Sequence, residues 1–335
     1  MLVVFTLLLA ACATPGASNP SGPQDNTRDA LPNADLTPST ASLVPQVERW
    51  GIYRLDLDSQ ELALLYSSPD RISFLRLNHA GDRLAFSQTV GGDSYDREEI
   101  FVLNTDGSKL SRLTQNDHWD LYPAWSPDDT EIAFLTQREN GLGIFLMNAD
   151  GSAPIALIDS AAHEADIDWV GDQIVFTRDS QIWIMKSDGS LARPLTNPPR
   201  AGEWGAANLP FGDYDPRISP DGSNVVFERL VGDDSVHGNY DLFVMDLETS
   251  QETRLTTSGY SQGLASWSHS GEQLVYIVSA IDGAGQYDLY LMDTDGANIR
   301  NSTPETFPTE FLCHWAIFSN DDSALYFIGE WWSEE

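Results

Sequence analysis

Short runs of apolar residues that end in a turn recur along the chain from Trp50 onward. In one recurring phrase, about four apolar residues lead into a turn that is usually Asp-Gly. The phrase occurs at Ile100–Gly107, Ile144–Gly151, Ile182–Gly189, Leu242–Thr249 and Leu289–Gly296. Runs of this length, bounded by turn residues and without helical periodicity between them, are typical of β-strands. The pattern therefore predicts an all-β body.

A second phrase fixes the period of the repeat. It consists of an aromatic or apolar residue, a turn and a further strand, and its clearest copies are Trp125–Asp129 and Ile218–Gly222. The six turns end at Gly81, Asp129, Asp172, Gly222, Gly271 and Asp322, in steps of 48, 43, 50, 49 and 51 residues. Each period holds four short strands, which is the signature of a propeller blade. The sequence predicts a six-bladed β-propeller of four-stranded antiparallel blades.

The two ends of the repeat each hold half a blade. The last copy supplies only the strands around 313–318 and 324–329, and the missing two occur at the start, at 51–57 and 61–66. Pairing of these strands would close the ring and remove open sheet edges. An open solenoid would need polar caps, which neither end resembles. We expect the propeller domain to cover residues 50–335.

The residues before the repeat predict the localisation of the protein. The apolar run 1–11 is too short to span a bilayer and has the length of a signal-peptide core. Leu9–Cys12 resembles the lipobox of bacterial lipoproteins, which implies acylation of Cys12 and an extracytoplasmic membrane anchor. An ordinary signal peptide is the alternative, and no Lys or Arg precedes the run, so the true start is open. Residues 12–49 are rich in Ala, Thr, Pro and Ser and predict a disordered tether.

A family resemblance follows from Tyr122–Asp129 and Ile144–Ser152. Together they look like the WD-repeat-like blades of the TolB propeller, and the likeness extends over about residues 50–332. It implies a six-bladed propeller in the cell envelope. TolB carries a separate α/β domain before its propeller, where this sequence has the predicted tether. TolB's partners and binding residues are therefore not carried over.

The net charge of the chain argues against some classes of binding partner. The chain has 18 Lys and Arg against 51 Asp and Glu, a formal net charge of −33. Such a surface repels phosphate, which argues against nucleic-acid binding and against direct attraction to anionic lipid. Membrane contact is expected through the lipid anchor only.

Candidate chemistry is sparse. Ser261 lies in a G-x-S-x-G match without a following helix, so we do not expect a nucleophile there. The six His and the Asp-Gly turns lack zinc or calcium spacing, and we expect no metal and no cofactor. One group of carboxylates precedes or begins the predicted inner strands and is expected to ring one mouth of the channel: Asp117, Asp120, Glu164, Asp166, Asp213 and Asp215. Such a ring would bind a cation or steer a basic partner, unless it serves only solubility.

The long connections predict a binding surface. Asn197–Gly212 and Val231–Tyr240 both belong to the fourth blade and should meet on the same face of the propeller. Together they bring the candidate binding residues close to one another: Trp204, Phe211, Tyr214, Asp233, Asp234, His237 and Tyr240. Exposed aromatic residues beside charges are typical of interface hot spots. The alternative is that these rings hold their own loops to the blade.

These observations favour a monomeric, non-catalytic binding module of the bacterial cell envelope. Its partner would be an envelope protein or a small polar or cationic ligand. The alternative is an envelope glycan-active enzyme, a lyase or hydrolase, on a propeller scaffold. Such an enzyme needs paired carboxylates or a base beside an Arg or Lys, and the sequence singles out no such constellation.

Overall fold

The computed structural model describes residues 49–90, 97–138, 141–160, 162–232, 237–279 and 287–331. These residues form β-strands, turns and loops, without a helix. No segment among them is therefore a helix long and apolar enough to cross a bilayer. The strands form six antiparallel sheets of four strands each.

The sheets are the blades of a propeller, and each has an innermost, second, third and outer strand. The innermost strands are β3 (Ile72–Leu77), β7 (Asp120–Trp125), β11 (Glu164–Val170), β15 (Asp213–Ile218), β19 (Ser261–Trp267) and β23 (Phe311–Phe318). The second strands are β4 (Arg83–Thr89), β8 (Glu131–Arg138), β12 (Gln173–Arg178), β16 (Asn224–Gly232), β20 (Gln273–Ser279) and β24 (Ala324–Trp331).

The third and outer strands complete each blade. The third strands are β5 (Glu98–Asn104), β9 (Gly141–Asn148), β13 (Gln181–Lys186), β17 (Asn239–Asp246), β21 (Asp288–Asp293) and β1 (Trp50–Asp56). The outer strands are β6 (Ser111–Arg112), β10 (Ile155–Ile158), β14 (Arg193–Pro194), β18 (Glu252–Arg254), β22 (Arg300–Asn301) and β2 (Leu62–Ser68). We number the blades 1 to 6 in the order of their innermost strands. The predicted six four-stranded blades are confirmed.

The ring closes within blade 6, as the two half-repeats predicted. Its strand order is β2-β1-β24-β23, so strands from both ends of the chain share one sheet. Strand β1 pairs with β24 along its whole length, with Ile52 opposite Ile328. Beside this seam, the guanidinium of Arg49 donates from Nε and Nη2 to Oε1 of Glu330 at 3.1 and 3.0 Å.

Each blade is held by one pair of aromatic rings between its second and third strands. The two residues of each pair lie directly opposite each other in the ladder, with ring centroids 5.6–6.4 Å apart. They are Phe86–Phe101, Phe134–Phe145, Phe176–Trp183, Phe227–Phe243, Tyr276–Tyr290 and Phe327–Tyr53. Cross-strand aromatic pairs bury much area and fix register. The fourth residue of every second strand thus forms the centre of its blade.

The propeller has two unlike faces. The tight-turn face holds the short turns that join the first strand to the second and the third to the fourth in each blade. The loop face holds the connections between second and third strands and the crossovers between blades. The longest described crossover on the loop face runs over residues 197–212 into blade 4.

Candidate functional site

The innermost strand of every blade contains one residue in the left-handed backbone region. These residues have φ between 42° and 59°, and each lies at a break in the ladder to the second strand. They are Phe74, Tyr122, Asp166, Asp215, Leu264 and Trp315. A left-handed conformation is unfavourable for residues other than glycine and marks a β-bulge that turns a side chain aside. Here the bulges direct one side chain from each blade toward the propeller axis, where they line the central channel.

One half of the channel lining is aromatic. The rings of Phe74 and Tyr122 stack with centroids 3.5 Å apart. The ring of Trp315 meets Phe74 edge-on at 5.1 Å. These contacts join the innermost strands of blades 6, 1 and 2 across the axis, so this side of the channel is apolar.

The other half of the lining is charged. The backbone N–H of Asp215 donates to Oδ2 of Asp166 at 3.3 Å. The hydroxyl of Tyr122 donates to the same Asp166 side chain, which connects the aromatic and the acidic halves. All three side chains are at most 5% exposed. Two carboxylates from neighbouring blades therefore lie buried beside the axis.

Two arginines stand two residues beyond the left-handed position, in blades 1 and 4. Arg76 and Arg217 each donate from Nη1 to the carbonyl of the residue before them, at 2.8 and 2.7 Å. Arg217 also donates from Nη2 to Oδ1 of Asp215 at 3.2 Å. Asp168 occupies the corresponding place in blade 3 and accepts the backbone N–H of Ile218 at 2.9 Å. The channel thus brings two buried guanidinium groups close to carboxylates of blades 3 and 4.

Glu228 adds a further carboxyl from the second strand of blade 4. Its Oε2 accepts the backbone N–H of Leu264 in blade 5 at 3.1 Å. The neighbouring Gly263 makes room for this reach, because a Cβ there would collide with Oε2. Glu228 is 2% exposed. It connects blade 4 to blade 5 in the same way that Asp166 connects blade 3 to blade 4.

Burial changes the acidity of this group. Loss of solvent, reinforced by the nearby Asp166, raises the pKa of Asp215 to about 7. Burial, with the charge of Asp215 beside it, also raises the pKa of Glu228 well above its usual range. Burial and the neighbouring Arg217 lower the pKa of Arg76 to about 9, which still leaves it charged at neutral pH. Asp215 therefore changes charge in the physiological range.

The structure separates the carboxylates predicted to ring the channel mouth. Asp120, Glu164 and Asp213 begin their innermost strands, but they are fully buried inside blades, which corrects that expectation. Glu164 pairs with Nη2 of Arg178 at 2.6 Å, and Asp213 with Nε of Arg229 at 2.6 Å. Asp120 accepts hydrogen bonds from Thr136 and from Asn116. Asp117 is exposed on the loop face.

Only Asp166 and Asp215 of the predicted acidic residues reach the channel axis. Arg76, Arg217 and Glu228 lie near them and were not predicted from the sequence. The one available signal was an Arg among the apolar residues of a predicted inner strand, as in Leu75-Arg76-Leu77.

The fourth-blade loops form a small apolar platform of their own. The buried members come from the crossover, from the first two strands and from the third strand, and they pack as one cluster: Ala207, Leu209, Phe211, Tyr214, Leu230 and Tyr240. The hydroxyl of Tyr214 donates to the carbonyl of Pro210 at 2.6 Å. The guanidinium of Arg200 lies 3.6 Å from the centre of the Phe211 ring. The prediction that these two loops meet is confirmed by this packing.

The platform divides the predicted binding residues into two groups. Phe211, Tyr214 and Tyr240 are 5–7% exposed, so they hold the loops to the blade and offer little surface. Trp204 is 55% exposed. His237 is half-buried, and Asp233 and Asp234 lie outside the described residues. Tyr260, on the next crossover, is 57% exposed and was not predicted.

The remaining candidates are Ser261, the residue types that could bind a metal ion, and the two cysteines. Ser261 begins β19, and its Oγ accepts the backbone N–H of Tyr240 at 3.2 Å. Within the described ranges, no three His, Cys, Asp or Glu are arranged to hold a metal ion. Cys313 is buried, and burial raises the pKa of its thiol well above the usual range. Cys12 and the predicted signal peptide and tether lie outside the described residues.

Comparison with known proteins connects this fold to one group. No family model matches the chain. The protein TolB homolog of Chlorobium luteolum is 29% identical over 159 residues, which are 46% of this chain and 33% of that protein. The Tol-Pal system protein TolB of Desulfosudis oleivorans is 26% identical over 129 residues, which are 37% of this chain and 27% of that protein. The solved structure of a putative TolB from Agrobacterium tumefaciens matches with a TM-score of 0.65 at 18% identity, over 85% of this chain and 99% of that chain.

The propeller is TolB-like. The predicted resemblance is thereby confirmed for the propeller. The match spans a third or less of the length of the two curated relatives.

The TolB-like fold is shared with an enzyme as well. An oligogalacturonate lyase in complex with manganese matches with a TM-score of 0.53 at 12% identity, over 84% of this chain and 83% of that chain. At this identity the likeness concerns the fold alone, because one scaffold supports unrelated sites. The function of the TolB-like propeller has to be argued from its own residues.

Proposed function

We propose that this protein is an extracytoplasmic, non-catalytic binding module that recognises a protein of the cell envelope. The observation that carries the proposal is the 55% exposed indole of Trp204 on a packed loop platform. The likeness to TolB propellers supports a role in the envelope. The apolar run before Cys12 supports lipid anchoring at that residue.

The surroundings of Trp204 suit an interface. A large rigid ring gains much from burial when the backbone beneath it is already ordered, because little conformational entropy is lost on binding. Two backbone hydrogen bonds hold this segment in place. The N–H of Gly202 donates to the carbonyl of Phe211 at 2.9 Å, and the N–H of Phe211 donates to the carbonyl of Glu203 at 2.8 Å. Trp204 therefore projects from a hairpin-like tip that is tied at its base.

Charge indicates the kind of partner. With a net charge of −33, the protein attracts basic surfaces and repels acidic ones over several ångströms beyond contact. Glu203 is directly beside Trp204 and exposed, paired with Arg200 at 2.9 Å. We propose a partner that presents an apolar pocket for the indole, surrounded by Lys or Arg.

The test is capture of an envelope partner with the full chain, followed by measurement of its affinity. Trp204→Ala should weaken the affinity at least tenfold, as expected of a central aromatic anchor. It should leave the melting temperature within a few degrees, because the indole packs little. Leu191→Ala is the matched control, since Leu191 is 72% exposed on the tight-turn face. Equal affinity for Trp204→Ala and the control would refute the assignment to this platform.

Anchoring has its own test. Wild-type protein expressed in a bacterial host that processes lipoproteins should partition into detergent with acylated proteins, and Cys12→Ala should not. Equal partitioning of both forms would remove the lipid anchor from the proposal.

A second candidate function is an enzyme that acts on an envelope glycan within the channel. One observation favours it. The carboxyl group of Asp215, whose pKa is about 7, contacts the guanidinium of Arg217, so the channel holds a base beside a cationic group. The purified chain would then turn over oligosaccharides, and Asp215→Asn would abolish turnover while still folding. Activity retained in Asp215→Asn, or no turnover by wild type across a panel of glycans, would reject this candidate.

A further inference from the structure

Several polar atoms of ionisable side chains in the channel have no hydrogen-bond partner. They are fully buried and belong to residues already placed at the axis: Nε and Nη2 of Arg76, Oδ2 of Asp215 and Oε1 of Glu228. Buried polar atoms are nearly always satisfied in folded proteins, and buried charges most of all. These four atoms therefore mark a place where the folded chain alone is incomplete.

The unpartnered atoms have opposite character and come from opposite sides of the ring. Arg76 belongs to blade 1, whereas Asp215 and Glu228 belong to blade 4, three blades away. Among the described residues, no carboxylate oxygen lies within 4.0 Å of a guanidinium nitrogen of Arg76. Arg76 and Asp215 nevertheless influence each other's ionisation. Donors and acceptors thus face each other across the channel without forming an ion pair.

The neighbouring groups are already engaged, which leaves these atoms for something else. Arg217 is bound to Asp215 Oδ1 and to a backbone carbonyl, and Asp166 accepts the hydroxyl of Tyr122 and the N–H of Asp215. The second oxygen of Glu228 is held by Leu264. Each unpartnered atom is therefore the free end of a side chain that is fixed at its other end, as in a preorganised site.

We infer that the channel binds a small zwitterion, whose carboxylate pairs with Arg76 and whose ammonium group pairs with Asp215 and Glu228. The guanidinium fork suits a carboxylate, since two parallel N–H groups match two oxygens. The aromatic wall of Phe74, Tyr122 and Trp315 suits the carbon chain between the two charges and the ammonium group itself. The ligand has to be small, because every side chain of this lining is less than 10% exposed.

A zwitterion explains the arrangement better than either charge alone. An anion would satisfy Arg76 and leave two carboxyl groups unpaired, and a cation would leave the guanidinium unpaired. One molecule with both charges compensates both ends, and water can bridge the atoms but carries no charge to them. This inference goes beyond the proposed function, which concerns the loop face.

The experiment is a calorimetric titration of the full chain with glycine, β-alanine and γ-aminobutyrate. This series varies the separation of the two charges, and acetate, butyrate and butylamine are the singly charged controls. We expect one zwitterion to bind at least tenfold more tightly than every singly charged analogue. Binding of none of the three zwitterions, or equal binding of a singly charged analogue, would overturn the inference.

Variants assign the two ends. Arg76→Gln should remove the preference for the zwitterion over butylamine, and Asp215→Asn should remove its preference over butyrate. A purely structural role would lower all affinities together and leave these preferences unchanged, which would also overturn the inference. If a variant does not fold, the comparison of analogues on wild-type protein decides. Trp204→Ala should bind the zwitterion like wild type, which separates this site from the loop face.

Discussion

Asp215 is a carboxyl group that the fold keeps away from water, and its environment favours the neutral form. Its folded-state pKa, about 7, lies above the ordinary value of 3.8. The native state therefore holds a proton that the unfolded chain releases between about pH 4 and pH 7. Stability from this group is complete below the unfolded pKa and is lost as the pH rises through the folded pKa. The charged groups that act on Asp215 are Asp166, which raises its pKa, and Arg217 and Arg76, which lower it, and Asp215 in turn raises the pKa of Glu228.

We expect the melting temperature of the wild-type protein to fall between about pH 4 and pH 7. A pKa difference of one unit corresponds to about 1.4 kcal/mol, and 1 kcal/mol to about 2–4 °C for a domain of this size. Asp215→Asn cannot lose a proton and should flatten the fall by several degrees. Thermal denaturation at half-unit pH steps measures both slopes, and parallel curves for the two proteins would contradict the assignment.

The tight-turn aspartates act in the opposite direction and serve as an internal check. Hydroxyls of Ser319 and Ser323 and a backbone N–H donate to Asp321 and lower its pKa to about 2. Groups of this kind add stability as the pH rises from about 2 to 4, below the range in which Asp215 acts. The two effects therefore separate along the pH axis.

At this scale the sequence could predict only part of the site. Asp166 and Asp215 were expected near the channel because they follow the turns into predicted inner strands. Arg76 and Glu228 were not, because they lie 152 residues apart, and only the geometry of the closed ring brings both near Asp215. Asp120, Glu164 and Asp213 each lie two positions before the bulged residue of their own strand, which in blade 3 is Asp166. The bulge, which no sequence signal located, decides which of them face the axis.

At the scale of elements, the first turn of one blade is hydrogen-bonded to the first turn of the next at two junctions, between blades 1 and 2 and between blades 5 and 6. The first turn of every blade contains a left-handed residue, which is glycine in four blades and aspartate in two. Both oxygens of Asp129 in blade 2 accept backbone N–H groups of blade 1, from His79 and Ala80, at 2.9 Å each. Asp322 in blade 6 accepts those of His269 and Ser270 in blade 5, at 2.6 and 2.9 Å.

We call this pair of hydrogen bonds from two backbone N–H groups to one aspartate the latch. The sequence explains why the other junctions lack it. Pro127 and Pro220 take the place of His79 and His269 in the turns of blades 2 and 4, and proline has no N–H to donate. At all four of these junctions the blade that follows has glycine in place of the aspartate: Gly81, Gly171, Gly222 and Gly271. The turn copies were evident from the repeat, whereas the latch depends on two turns about 50 residues apart and was not predicted.

Removing one latch should destabilise the junction between blades 1 and 2. Asp129→Asn replaces one acceptor oxygen by an N–H₂ group that faces a backbone donor, which should cost about 1–3 kcal/mol. Denaturant unfolding should show a lower midpoint with an unchanged slope. Asp117→Asn is the matched control, because it removes the same charge from an exposed loop. Equal midpoints for both variants would show that the latch contributes nothing measurable.

At the scale of the whole molecule, closure of the ring makes the two ends of the chain one structural unit. The repeat predicted this closure correctly, since two half-blades at opposite ends have no other partners. The aromatic pair of blade 6 itself spans the closure: Tyr53 from the start of the chain stacks on Phe327 from its end, with centroids 5.6 Å apart. The backbone allows this because Gly51 and Gly329 lie opposite each other, and a Cβ on Gly51 would press on the Tyr53 ring.

Deleting residues 50–66 should therefore abolish cooperative folding of the entire propeller. The deletion removes β1 and most of β2 and leaves the edge of β24 unpaired. It also exposes the apolar surface against which Ile52 and Tyr53 are completely buried. Calorimetry should show loss of the single unfolding transition, and light scattering should show aggregation. Deleting residues 13–45 is the control, and it should leave the melting temperature nearly unchanged because the sequence predicts a tether there. A shortened chain without 50–66 that still unfolds in one transition near the wild-type temperature would mean that the other five blades and the remaining half-blade hold together without the seam, and that closure by the terminal strands contributes little to stability.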